Sequence, residues 1–276
     1  MLQFLILVPR TLATLSLLAL TLSLGTVLDP VVTAQGPAGA ARAAMHRTSD
    51  GRPNLQGIWQ VRNTAAVDLL DHPATQGGRP GWSVVEGGTI PYQPWAAKKK
   101  AENYAARTTA DPMATCFLPG VPRIMYLDHP FHIFQTRDAV AVTFEWSQVF
   151  RLIHTNGTKP VDGIEFWMGD SRGRWEGDTL VVNVTNHNDK TWFDRAGNFH
   201  SEQLKLEERF TLEDADTLRY EVTVEDQKVF TRPWKISMPL HRQKDTERIL
   251  EYQCQAEASE ANGAFERDPK TWFPGR

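Results

Sequence analysis

Alternation along residues 202–212 sets Leu204, Leu206, Glu208, Phe210 and Leu212 on one face of an extended chain, with Gln203, Lys205, Glu207, Arg209 and Thr211 on the other. Glu208 is thus a carboxylate in an apolar row. Such a group must find a partner or hold its proton, and a shifted carboxylate is what general acid or base chemistry uses. Arg151, in a row with Val149 and Ile153, is the expected partner if Glu208 is structural, or a grip for a ligand carboxylate if it is not. His154 shares a face with Phe150, itself a candidate to line a ligand cavity, and with Leu152; His132 shares one with Phe134. If those apolar faces are interior, both imidazoles point inward and pair with Glu208 as acid and base; ordinary core histidines are the plainer reading.

Between residues 185 and 202 lies a segment holding His187, Asp189, Trp192, Asp194 and His200. It reads as a polar loop at a barrel mouth, carrying ligand-binding or catalytic groups above Glu208. Two imidazoles and two carboxylates suffice for a divalent ion, but their spacing matches no metal motif. No cofactor is expected, with a metal ion in this loop as the one alternative. Trp167, Trp175 and Trp192 suit stacking on a flat or sugar ligand, or core packing. No serine sits in a Gly-x-Ser-x-Gly elbow, and no phosphate-binding glycine loop occurs.

The elements that must position these groups are short and extended. Strands are expected over residues 54–62, 131–137, 139–146, 148–155, 178–185, 202–212, 217–225, 232–240 and 248–255. One helix is expected at 95–107, where Ala, Lys and Glu dominate. Residues 63–94 and 109–130 are rich in glycine and proline and read as an irregular wrap. Consecutive strands with short turns predict a mainly β fold: an antiparallel up-and-down barrel of about eight to ten strands, with one helix and a long N-terminal wrap.

Gly57-Ile58-Trp59 at the start of the first strand resembles the opening signature of lipocalins and other calycins. That resemblance implies a Trp plugging one barrel end under a basic side chain from a late strand, here Arg232, Arg242 or Arg248. More broadly, Asp-Gly-Arg-Pro-Asn-Leu-Gln-Gly-Ile-Trp at 50–59, Gly-Arg-Trp-Glu-Gly-Asp-Thr-Leu-Val-Val at 173–182, His200-Ser201-Glu202 and Glu208-Arg209-Phe210 resemble a family of exported bacterial proteins. The family has no settled activity, so the resemblance implies an exported domain after residue 50 and transfers no catalytic residue.

Residues 1–34 have the layout of a secretory signal peptide: Arg10, an apolar run, then Val32-Thr33-Ala34. An uncleaved anchor is the alternative. Residues 35–50 read as a linker, and 51–276 as one β-barrel domain: wrap to 130, strand meander over 131–256, and a tail over 257–276. Cys116 and Cys254, the two cysteines of the chain, are expected to pair in a periplasmic or extracellular setting. A net charge of −3 gives no basic surface for nucleic acid. The expected partner is a small molecule, with no membrane contact after cleavage and no indication of oligomeric state. Two functions follow. One is an exported calycin-like protein enclosing a small apolar or aromatic ligand. The other is a cofactor-free acid/base enzyme (lyase, isomerase or hydrolase) using Glu208 with a histidine. Carbohydrate binding is a lesser third reading.

Overall fold

A computed structural model of the chain describes residues 46–74 and 79–261. The expected signal peptide and most of the linker and tail lie outside the described residues. Nine strands close into a barrel: β1 Gly57–Gln60, β2 Phe131–Gln135, β3 Ala139–Phe144, β4 Phe150–His154, β5 Asp170–Glu176, β6 Thr179–Thr185, β7 Lys205–Leu212, β8 Thr217–Glu225 and β9 Trp234–Arg242. Neighbours in sequence are neighbours in the barrel, and β9 returns to pair with β1. Eight of the nine pairings are antiparallel. The exception is β4 against β5, which run parallel through Ile153–Ser171 and His154–Arg172, so the chain crosses over between them through residues 155–169.

Strand β5 was not among the expected strands, and its composition explains why. Its sequence, Asp-Ser-Arg-Gly-Arg-Trp-Glu, shows no apolar alternation. At Gly173, a Cβ would lie 2.9 Å from Ile153 and 3.3 Å from Leu180, so the missing side chain is what lets β5 fit closely among its neighbours. The expected strand at 248–255 is instead irregular. Tyr252 forms a single parallel bridge to Trp146, and helix α2 (Cys254–Ala261) follows. The charged Arg248 and Glu251 leave this stretch without an apolar face to bury. The long helix α1 spans Pro94–Ala110, with proline at its first position, where an N–H is dispensable.

The calycin-like end is built around Gly57 and Trp59. Trp59 is fully buried, its indole N–H donates to the Leu55 carbonyl at 2.9 Å, and the Arg242 guanidinium lies 4.2 Å from its ring centroid. Arg242 is therefore the covering cation. Gly57 sits at φ 128°, a conformation L side chains rarely adopt, which is what requires glycine; a Cβ there would also push against the Arg242 guanidinium tip at 2.2 Å.

The Cys116–Cys254 disulfide is formed. It ties the segment after α1 to the start of α2. Residues 46–50, in the stretch read as linker, are also attached: Arg47 makes a bidentate contact with Asp178 at 2.8 Å. Among the described residues, no helix is long and apolar enough to cross a membrane.

Candidate functional site

The alternation on β7 is as expected: Leu206, Glu208, Phe210 and Leu212 are buried. Glu208 is 0% exposed, and both its oxygens are taken. Arg151 Nη1 donates to Oε1 at 3.0 Å, Arg151 Nη2 donates to Oε2, and the Tyr220 hydroxyl donates to Oε1 at 2.6 Å. Arg151 Nε donates to Ser171 Oγ at 3.0 Å. Burial opposes the Arg151 charge, but the Glu208 carboxylate more than offsets it and raises the guanidinium's pKa. Around this group Val182, Val222, Ile236 and Phe210 fill the interior. Glu208 and Arg151 thus satisfy each other as a buried ion pair.

The expected inward placement of His132 and His154 is overturned. On β4 the buried residues are Arg151 and Ile153, while Phe150 is 73% exposed and Leu152 also faces out. Phe134 is exposed beside His132 on β2, their rings 4.0 Å apart. The apolar rows carrying both histidines are the outer face of the barrel, so neither imidazole meets Glu208. Phe150, expected to line a ligand cavity, is likewise on the outside. The error has a physical source: the inner row of β4 contains a charge, and the outer row is more apolar than a solvent face usually is.

The loop after β6 is buried rather than open. His187, Asn188, Thr191, Asp194, Asn198 and His200 are each under 7% exposed, whereas Asp189 and Lys190 face solvent. His200 Nδ1–H donates to the Ser201 carbonyl at 2.9 Å. In the neutral ring that leaves Nε2 to accept from Thr191 Oγ1, 2.7 Å away. Burial lowers the pKa of His200, which keeps the ring neutral, and the Ser201 carbonyl fixes the tautomer. Asp194 accepts from the Leu69 and Asn198 backbone N–H groups, at 2.9 and 3.1 Å, and from the Asn198 amide. It pins the N-terminal wrap to the loop. Burial, with the nearby Asp68 charge adding to it, pushes Asp194 up to about 7 despite those donors. Helix α1 docks on the same loop through Asn103, whose amide donates to the Gly197 carbonyl at 3.2 Å.

His187 differs from its neighbours. It is 1% exposed, and neither ring nitrogen has a hydrogen-bond partner among the described residues. Arg123 Nε and Trp234 Nε1 are the other buried side-chain nitrogens without one. Burial, His200 and Arg151 together drive the His187 pKa well down. Its ring lies 5.8 Å from that of His200.

Above this loop is a groove of about 450 Å3, walled by Phe117, Trp167 and Lys190 with Asp111 and Thr115. Phe117 and Trp167 stack with centroids 5.2 Å apart and planes 6° from parallel. The Lys190 ammonium is 6.0 Å from the Trp167 centroid. Asp111 is buried in a bidentate pair with Arg123, both contacts 2.7 Å, so among the described residues the charge left unpaired at the groove is that of Lys190.

Of the expected site residues, Trp167 lies in this groove, and His187, His200 and Asp194 lie in the buried loop. Trp192 bridges the backbone of Phe199 and does not wall the groove. Nothing in the residue pattern marks Phe117 or Lys190. Phe117 adjoins Cys116, and the disulfide was the one signal that this irregular stretch has a fixed position. Among the described residues no three His, Cys, Asp or Glu side chains gather as a metal site. Comparison of the chain with protein-family models and with curated proteins returns no match.

Proposed function

We propose that the protein is an exported binding protein for a small aromatic molecule carrying an anionic group, taken at the barrel end rather than along the barrel axis. The observation that carries this reading is the stacked ring pair of exposed Phe117 and half-buried Trp167 with Lys190 above it, in a groove of about 450 Å3. Stacking surface and one cation suit a flat carboxylate. The axis itself is occupied by the Arg151–Glu208–Tyr220 group and its apolar neighbours, which argues against both an enclosed ligand there and an acid/base role for Glu208. The disulfide between Cys116 and Cys254 supports export to an oxidising compartment.

Titration of 2-naphthoate, followed by its fluorescence, tests this. Saturable binding is expected, weakened at least tenfold in Trp167→Ala and several-fold in Lys190→Ala. Binding indifferent to both changes would sink the groove as the site.

A further inference from the structure

The outward rows of the barrel are of two kinds. On β7 and β8 they carry Lys205, Glu207, Arg209, Arg219, Glu221 and Glu225. On β2, β3 and β4 they carry no Asp, Glu, Lys or Arg. Strand register lays these three strands out in two lines across the wall, Phe134–Ala141–Leu152 and His132–Thr143–Phe150. The small residues of β3 make the middle a shallow trough. Phe134 and Leu152 flank it at 43% and 41% exposure, and Phe150 stands clear at 73%.

Beside the second line lies a hollow of about 440 Å3, walled by Thr143, Gln148, Ile249 and Leu250. Leu250 is also exposed. Its segment is fixed against the β3–β4 turn: the Leu250 N–H donates to Glu145 Oε2 and the Ser147 N–H to the Tyr252 carbonyl, both at 2.7 Å. Thr143 pairs with Phe150 in the sheet and also walls the hollow. A protruding phenyl ring and a hollow able to take one are therefore side by side on one surface.

Area and charge indicate what covers this face. With about 200 Å2 for a whole aromatic side chain and slightly less for leucine, Phe134, Phe150, Leu152 and Leu250 together bare about 400 Å2. A stable dimer takes about 800 Å2 from each partner, a little over half of it apolar. The face thus holds close to the apolar share of one side of such an interface. Arg248 and Glu251 border the hollow, and neither makes an ion pair among the described residues. Rim charges of both signs suit a second copy of the same surface, whereas a lipid surface calls for a cationic rim.

We propose that this face joins two copies of the chain about a twofold axis, each Phe150 seated in the hollow beside the partner's Thr143. The contact is isologous: one knob and one hollow serve each copy, so the pair closes and leaves neither exposed. Close to the axis, Arg248 of one copy meets the partner's Glu251. The inference stands apart from the groove reading, since it uses none of that site's residues.

Sedimentation velocity on the folded, disulfide-bonded chain, over about a hundredfold range of concentration, tests it. The wild type is expected to populate a dimer. Phe150→Glu, a change on the surface, is expected to raise the dissociation constant at least a hundredfold, because the lost anchor counts twice in each dimer. Near-UV circular dichroism of this variant should match the wild type. Arg248→Glu is expected to weaken the dimer about tenfold, and adding Glu251→Arg to recover most of the loss. A wild type that stays monomeric at every concentration overturns the inference and leaves the face to another protein or to residues 262–276 of the same chain. A dimer unmoved by Phe150→Glu overturns it equally, by placing the contact elsewhere. A charge reversal that Glu251→Arg does not rescue overturns the twofold arrangement.

Discussion

Arg151 and Glu208 meet inside the barrel as a bidentate ion pair whose side chains are 2% and 0% exposed. They come from strands far apart in sequence, β4 and β7, and with Ser171 of β5 and Tyr220 of β8 they connect a large part of the barrel wall through one polar group. In such a place each charge is tolerable only because the other is present.

Removing one partner should therefore cost more than removing both. Glu208→Gln leaves a buried guanidinium unpaired and is expected to destabilise by about 3–5 kcal/mol. The double change Arg151→Met with Glu208→Leu should cost markedly less than the two single changes added together. A double-mutant cycle by urea unfolding reads the difference directly. Strict additivity would mean the pair is not coupled.

Asp194 predicts an unusual pH profile. Its carboxyl sits at about 7 in the fold against 3.8 for the free group. A raised carboxyl pKa means the native state holds the proton more tightly. Its contribution is full below about pH 4 and is lost as pH rises to about 7, up to roughly 4 kcal/mol in all. The neutral His187 and His200 act in the opposite sense below about pH 6.5, because their folded pKa values are depressed. The wild-type profile minus that of Asp194→Asn isolates the carboxyl. That difference should decline between pH 4 and pH 7 and level off above. A flat difference would place Asp194 ionised throughout.

The disulfide closes a span of 138 residues. In the chain-entropy account such a loop is worth about 5 kcal/mol, less any adjustment in the fold. Reduction, or Cys116→Ser with Cys254→Ser, is expected to lower stability by several kcal/mol. It should also loosen the groove, since Phe117 adjoins Cys116. Chemical unfolding with and without reductant, alongside naphthoate titration, would show both effects.

Gly57 should tolerate no side chain. Alanine there meets Arg242 Nη1 at 2.2 Å in a backbone conformation that L residues avoid. A loss of about 1–3 kcal/mol is expected. Part of it should be relieved in a background where Arg242 is truncated to Ala, which removes the steric term. Equal losses in both backgrounds would leave backbone strain as the whole cause.

Much of the barrel was legible in the chain because its walls alternate. The buried rows of β3, β7, β8 and β9 follow period two, with Arg242 at the end of β9 the one departure, and Gly57-Ile58-Trp59 marked the plugged end. What failed did so where chemistry departs from pattern. Strand β5 hides because its inward positions carry Ser171, which bonds Arg151, and Gly173, whose neighbours leave no room for a side chain. Strand β4 misleads because its inner row carries Arg151 and its outer row Phe150 and Leu152, which turns His154 to the wrong side, and exposed Phe134 on β2 does the same for His132. Glu208 was correctly placed inside from alternation alone, and its pairing with Arg151 was one of two readings the pattern allowed. The groove was the hardest part to see. Phe117, Trp167 and Lys190 come from three irregular segments, and only the folded chain brings them together.

The most direct measurement is residue-resolved NMR mapping of 2-naphthoate on the folded, disulfide-bonded chain. Binding at the barrel end predicts the largest shifts at the Trp167 indole, the Phe117 ring and Lys190, with the Tyr220 ring unmoved. Shifts centred on Tyr220 and Arg151, or on the outer face at Phe134 and Phe150, would contradict the account.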